Sequence, residues 1–185
     1  NLEKSLIPMQ QKDIPGLLLR LSKLCIPSTY VWLLGFYGYF HLWMNLLAEL
    51  TRFGDRLFYK DWWNARTIDV YWRNWNLPVH HWLLRHIYYP MLRGGWSKRI
   101  AIFATFFFSA AAHELIISVP FRRVSLHAFL GMLAQAPLIY VTRWIDKIFD
   151  NALLGNVSFW LMFCIFGQPM GIIMYYYDIW RDMQK

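Results

Sequence analysis

The stretch Ile100-Ala-Ile-Phe-Ala-Thr-Phe-Phe-Phe-Ser109-Ala-Ala-Ala-His113-Glu114-Leu-Ile-Ile-Ser-Val119 decides how the rest of the chain is read. Only Thr105, Ser109, His113, Glu114 and Ser118 interrupt its apolar run. A helix that crosses a hydrocarbon core of ~30 Å needs about 20 mostly apolar residues. The run is therefore predicted to cross a membrane with two adjacent ionisable groups inside it. Three further windows of similar length, Tyr30 to Ala48, Val124 to Thr142 and Val157 to Tyr177, hold no Asp, Glu, Lys or Arg. Together they predict an all-α, multi-span membrane protein with spans at about residues 30–48, 100–119, 124–142 and 157–177.

Composition points the same way. The 185 residues are 57% apolar, 19% aromatic and only 16% charged, against roughly 25% charged in a soluble domain. Cys25 and Cys164 give neither a disulfide framework nor a Cys-based metal spacing. The chain opens at Asn1 without the pattern of a signal peptide and is expected to be a fragment. The net charge of +8 does not imply nucleic acid, because the basic residues lie between hydrophobic blocks instead of along one accessible face. Nine of the 19 Lys and Arg fall between Thr51 and Arg99, so the positive-inside rule puts that segment on the cytosolic side.

That segment is unusual in another respect. Between Phe53 and Trp96 lie six of the 11 Trp and four of the 11 Tyr, interleaved with Arg and His. Such rings favour the headgroup zone, where one end stays apolar and the other hydrogen-bonds. Residues 53–96 are expected to run along the membrane surface, or to re-enter it, as amphipathic helices broken at Pro78 and Pro90. A polar and then amphipathic approach ending at Pro27 is expected before the first span, and a polar tail after Asp178. The two remaining connections are expected at Pro120–Arg123 and Arg143–Asn156.

Polar groups inside a span carry a cost of roughly 2.5–3.5 kcal/mol per charge at a helix centre, so each calls for a partner or a function. Ser109 and His113 are four residues apart and share a helix face, and Glu114 follows about 100° round. The alanines beside His113 suit either a substrate chain or a neighbouring helix. A lone membrane histidine is readily a packing residue bonded across helices, but two adjacent ionisable groups are harder to accommodate that way. A neutral imidazole is also the usual general base near neutral pH. Gln135-Ala-Pro137 and Gly167-Gln168-Pro169 put two amides next to prolines within spans. They fit kinks with cross-helix bonding and substrate contact equally well. His41 and Asn45 read as structural. His80-His81 with His86 lacks the spacing of a helical metal site, and no metal site is expected.

Phe58-Tyr59-Lys60-Asp61-Trp62-Trp63-Asn64 resembles the signature heptapeptide of the membrane-bound O-acyltransferases, in their sterol and diacylglycerol acyltransferase branch. His113-Glu114 resembles that family's catalytic histidine and its following residue, and the likeness runs from about Leu17 to Trp180. Leu47-Ala48-Glu49-Leu50, Phe53-Gly54-Asp55-Arg56, Trp75-Asn76-Leu77-Pro78-Val79-His80, Ser118-Val119-Pro120 and Gly167-Gln168-Pro169 resemble the diacylglycerol-using members. The resemblance implies that residues 1–185 form the C-terminal part of one such domain, with oligomer contacts in a preceding N-terminal part.

The implied reaction is acyl transfer from acyl-CoA to the free hydroxyl of 1,2-diacylglycerol in the endoplasmic reticulum membrane, with no cofactor and no covalent acyl-enzyme. By resemblance His113 is the general base, Glu114 orients or charge-balances its ring, and Asn64 belongs to the active centre. Ser109, Gln135 and Gln168 are implied to line the acyl and glyceride chamber. Trp62, Trp75, Asn76, His80, Tyr88 and Lys98 are implied to face the acyl-CoA entrance, with Lys98 near the phosphates. Two alternatives stand beside this reading: a sterol, long-chain alcohol or retinol as acceptor, and a proton-coupled transporter using His113 and Glu114 as a relay.

Overall fold

The computed structural model describes residues 2–184. Helix α1 (Leu2–Gln10) precedes α2 (Ile14–Phe36), a π-helical stretch (Tyr37–Trp43) and α3 (Met44–Leu50). After an extended segment come α4 (Ile68–Trp75), α5 (Leu77–Leu83) and α6 (Tyr89–Arg93), then the long helices α7 (Lys98–Phe121) and α8 (His127–Phe149). Helix α9 (Ala152–Leu161) passes through a second wide stretch (Met162–Gly167) into α10 (Gln168–Met183). Among the described residues there is no strand.

Four helical runs are long and apolar enough to cross a membrane: Ile14–Leu50, Lys98–Phe121, His127–Phe149 and Ala152–Met183. Val31, Leu34, Ile116 and Tyr140 on these helices are exposed. Helices that are apolar and yet uncovered call for lipid or further protein around them.

The helices run further than the apolar windows. Helix α2 begins at Ile14 and continues through Pro27, and beside the proline Ser28 Oγ donates to the carbonyls of Leu24 (2.7 Å) and Cys25 (3.2 Å). The polar tail after Asp178 is helical to Met183, with Arg181 paired to Asp178 at 3.5 Å. Helix α8 continues past Arg143 to Phe149, which shortens the expected connection to Asp150 and Asn151. Pro78 breaks the middle segment, standing in the first turn of α5 where a missing N–H costs nothing; Pro90 does not, because the chain stays helical from Leu77 to Arg93 through a π-helical stretch at Leu84–Tyr88 that directly precedes α6. Pro169 likewise opens α10, directly after the widened turn at Met162–Gly167.

The chain divides into two compact units, Asn1–Phe36 with Trp160–Lys185, and Tyr37–Phe159. In the first, α1, α2 and α10 pack around Leu6, Leu21, Pro169 and Ile173, and the Trp32 ring meets Phe163 edge-on at 4.7 Å. In the second, α7 packs along α8, and α4 lies against α8.

The heptapeptide belongs to the second unit and is held mainly by backbone hydrogen bonds. Lys60 N–H donates to Asn74 O at 2.8 Å, and Leu77 N–H to Phe58 O at 3.0 Å. Its side chains then fill the core. Phe58 and Trp62 are buried, and Trp62 contacts the rings of Tyr71 and Trp75 edge-on at 6.0 and 5.6 Å. Tyr59 Oη is hydrogen-bonded to His41 Nδ1 at 2.9 Å, which gives His41 the structural place its sequence suggested.

Behind the heptapeptide a polar clamp joins the loop before α4 to the end of α8 and the start of α9. Ile68 N–H donates to Thr142 Oγ1 (3.3 Å), and Asn156 Nδ2 donates to the carbonyls of Trp63 (2.7 Å) and Ala65 (3.0 Å). Arg66 pairs with Asp146 at 2.9 Å, and Arg143 grips Asp69 with two bonds of 3.1 and 2.7 Å. Gly155 makes this approach possible, since a Cβ there would lie 3.1 Å from the Arg66 side chain and 3.2 Å from its carbonyl.

Candidate active site

His113 is half-buried on α7, and its Nδ1 lies 2.7 Å from the backbone carbonyl oxygen of Ser109. A carbonyl only accepts, so Nδ1 carries the proton in the neutral ring and Nε2 carries the lone pair. Helical spacing alone dictates this bond: the imidazole reaches back one turn to the residue four before it. The result is a fixed tautomer with one nitrogen free to take a proton. Ser109, half-buried like His113, supplies that anchor through its backbone.

Glu114 is buried. Its Oε1 accepts from Ser118 Oγ (3.1 Å) and from the backbone N–H groups of Ser125 (3.1 Å) and Leu126 (2.9 Å). Its Oε2 accepts the N–H groups of Ala128 (3.1 Å) and Phe129 (3.2 Å), in the first turn of α8. The carboxylate thus caps α8 from α7 and holds a turn in which Arg122 and Leu126 both take left-handed backbone angles, φ 50° and 60°. Its hydrogen bonds support the turn and the helix start.

Other expected residues are placed as follows. Gln135 is half-buried on α8, its Nε2 3.4 Å from the carbonyl of Gly131. Gln168 is half-buried at the start of α10, in the other unit. Asn64 ends the short turn Trp62–Asn64 with an exposed side chain, and no hydrogen bond joins it to His113 among the described residues. Trp62 is only 1% exposed. Its ring packs edge-on against Tyr71 and Trp75. Trp75 stacks on Tyr71 at 5.8 Å and meets Phe40 at 4.9 Å. The Asn76 side chain caps α5, accepting from Val79 N–H at 3.1 Å. Tyr88 packs edge-on against Tyr89 at 5.4 Å, and Lys98 is exposed as the first residue of α7.

His80 is one wall of a pocket of about 290 Å³ whose lining includes Lys60, Arg73, Asn74 and His81. Burial, together with the positive charges of His81 and Arg73, holds the His80 imidazole below its usual value. Lys60 and Arg73 bring positive charge to its lining, which suits it to an anion. Lys60, Arg73 and His81 carried no signal as a group, because a heptapeptide residue, a helix and the next helix bring them together only in three dimensions.

Two further features escaped the sequence. The Trp72 ring, on α4, meets the His113 ring edge-to-face, with centroids 6.0 Å apart and planes at 87°. Its Nε1–H is shielded from solvent and has no hydrogen-bond partner among the described residues. Asp69, three residues earlier, is drawn up by burial. The hydrogen bonds from Arg143 and Thr67 and the charges of Arg143 and Arg73 outweigh this and hold it below the usual carboxylate range.

Residues 17–176 match the model of the membrane-bound O-acyltransferase family. Among curated proteins the chain is 53% identical over 166 residues to diacylglycerol O-acyltransferase 1 of Corylus americana, covering 90% of this chain and 31% of that protein. It is 51% identical over 163 residues to diacylglycerol O-acyltransferase 1-1 of Oryza sativa subsp. japonica, covering 88% and 30%. Against diacylglycerol O-acyltransferase 1 of Dictyostelium discoideum the identity is 47% over 174 residues, covering 94% and 28%. The chain therefore spans about a third of the length of these relatives.

Proposed function

Because the chain belongs to the membrane-bound O-acyltransferase family, we propose that it carries the reaction centre of an acyl-CoA:diacylglycerol O-acyltransferase. The reaction moves a fatty acyl group from acyl-CoA to the free hydroxyl of 1,2-diacylglycerol, giving triacylglycerol and CoA. The observation that carries this reading is the fixed tautomer of His113, with Nδ1–H donated to Ser109 O at 2.7 Å. The names of the relatives support the acceptor.

His113 Nε2 takes the proton of the glyceride hydroxyl as its oxygen attacks the thioester carbonyl directly. The C–S bond then breaks, and the proton passes from the imidazolium to the departing CoA thiolate. No covalent acyl-enzyme and no cofactor are needed, since the two substrates react with each other. Gln135, half-buried on α8, is a candidate for holding an ester or hydroxyl group in the apolar chamber.

Acyl-CoA is a soluble polyanion, while diacylglycerol and triacylglycerol dissolve in the bilayer. This partition favours a site open to both, with the cationic pocket of Lys60, Arg73, His80 and His81 receiving a phosphate of CoA. The basic segment 51–99 then faces the cytosol, where acyl-CoA is made, and the membrane is that of the endoplasmic reticulum.

The test is acyl transfer from labelled oleoyl-CoA by membranes containing the intact protein, wild type and His113→Ala, with diacylglycerol, cholesterol and a long-chain alcohol competing as acceptors. Label mainly in triacylglycerol, and only with His113 present, is expected. Label in sterol or wax ester would replace the acceptor and keep the chemistry. Proton-coupled flux without labelled product would replace the chemistry itself.

A further inference from the structure

We propose that Trp72 is a catalytic residue of this reaction, its indole N–H donating a hydrogen bond to the thioester carbonyl oxygen as negative charge develops there. The inference rests on the acyl-transfer reading and names the donor that this reading leaves open.

The indole N–H is a donor only, so any partner it takes must be an acceptor. It is shielded from solvent and has no partner among the described residues, although buried polar groups are nearly always paired. Its ring stands edge-to-face against the imidazole of His113 at 6.0 Å between centroids. The bond from Nδ1 to Ser109 O commits Nε2 to the attacking hydroxyl. That hydroxyl lies about 3 Å from Nε2 and about 3–3.5 Å from the carbonyl carbon it attacks. The carbonyl oxygen therefore falls at a separation from the base comparable to the distance between the two rings.

Asn64, in contrast, is exposed and has no hydrogen bond to His113. In the balanced step the new C–O bond forms, the C–S bond breaks, and the hydroxyl proton goes to His113 Nε2 and then to sulfur. Trp72 transfers nothing: its N–H only stabilises the charge that appears on the carbonyl oxygen and disappears when the carbonyl reforms.

Trp72→Phe keeps a ring at the packing position and removes the donor. In the intact protein it is expected to lower kcat about 100-fold while the KM for oleoyl-CoA stays within about twofold, the split of an interaction made in the transition state. A kcat within about threefold of wild type would overturn the assignment.

Binding gives a readout independent of turnover. A ketone analogue of oleoyl-CoA keeps the carbonyl and replaces sulfur by methylene, whereas an S-alkyl thioether lacks the carbonyl. Trp72→Phe should weaken the first and spare the second; equal effects on both would assign Trp72 to packing. If the variant does not accumulate, wild-type protein labelled with ¹⁵N-tryptophan decides. One indole N–H resonance should move downfield with the ketone and stay in place with the thioether, and no such difference would overturn the proposal. Absence of acyl transfer by the wild type would count against the acyl-transfer reading, and the carbonyl-dependent shift would still decide the role of Trp72.

Discussion

Glu114 caps a helix to which it does not belong: from α7 its Oε2 accepts the backbone N–H of Phe129, in the first turn of α8, at 3.2 Å. Leu126 precedes α8 in a left-handed conformation with no side-chain cap of its own, and the Glu114 carboxylate accepts from two first-turn donors of α8 instead. The residue beside the proposed base thereby fixes the packing of the two long helices around it, which suits a site that must hold its geometry in lipid.

Replacing Glu114 by Ala is expected to destabilise more than the loss of an ordinary helix cap. Four backbone N–H groups donate to its carboxylate. At ~1–3 kcal/mol for each donor left unpaired, and with partial rescue by water, the cost is about 3 kcal/mol or more. Thermal inactivation should begin at a clearly lower temperature, and Glu114→Asp, one methylene shorter, should recover only part of the loss. An unchanged inactivation profile for the alanine variant would remove the cap from the account.

His113→Asn separates the anchor from the base. The asparagine amide can still donate to Ser109 O as Nδ1 does, but nothing remains at the position of Nε2. Acyl transfer should fall by about 10²–10⁴-fold while stability and acyl-CoA binding stay close to wild type. Retention of more than a tenth of the activity would show that another group takes the proton.

The four spans were legible because bilayer thickness sets a length that local composition can meet. The break at Pro78 was legible because proline acts on its own neighbourhood, whereas the π-helical stretch that carries the helix through Pro90 was not. The ends of the long helices were not, since they depend on partners far along the chain. Arg143 was read as the start of a connection, yet it lies within α8, bound to Asp69 from 74 positions earlier. The heptapeptide was recognisable as a signature, but its division of labour was hidden: Phe58 and Trp62 build core, Tyr59 anchors His41, and Lys60 turns to the cationic pocket. Trp72 sat among six tryptophans of one segment, and only the fold distinguishes the one facing His113.

The pocket lined by Lys60 and His80 predicts a pH-dependent KM for acyl-CoA. His80 is held below its usual value by burial first and then by the charges of His81 and Arg73. A bound phosphate raises it again, so binding takes up a proton between the free and the bound values. Affinity is then highest below the free-state value, falls as pH rises, and levels off above the bound-state value. KM measured from about pH 5.5 to 7.5 should rise in wild type and become flatter in His80→Ala. Lys60→Ala should raise KM at every pH with little change in kcat, because phosphate contacts are made equally in ground and transition states. A KM indifferent to Lys60 would take the phosphate out of this pocket.

Asp69 and Arg143 predict a long-range effect on the chemistry. Their two bonds tie α4, which carries Trp72, to α8, which carries Gln135. A shift of ~1 Å at a reacting group can cost about 100-fold in rate. Asp69→Asn and Arg143→Gln should therefore each lower kcat, and the double variant should lose little more than the worse single one, since both remove the same tie. Additive losses would mean that the pair does not act as a unit. The pH behaviour separates this pair from His80. Asp69 is held below the usual carboxylate range, so its contribution is complete above the value of an unfolded aspartate, about 3.9, and is lost only as pH falls through the lower folded-state value. Asp69→Asn should consequently leave the shape of the activity profile between about pH 5 and 8 unchanged while lowering it throughout. A new inflection in that window would show that the clamp, and not the base or the phosphate pocket, titrates there.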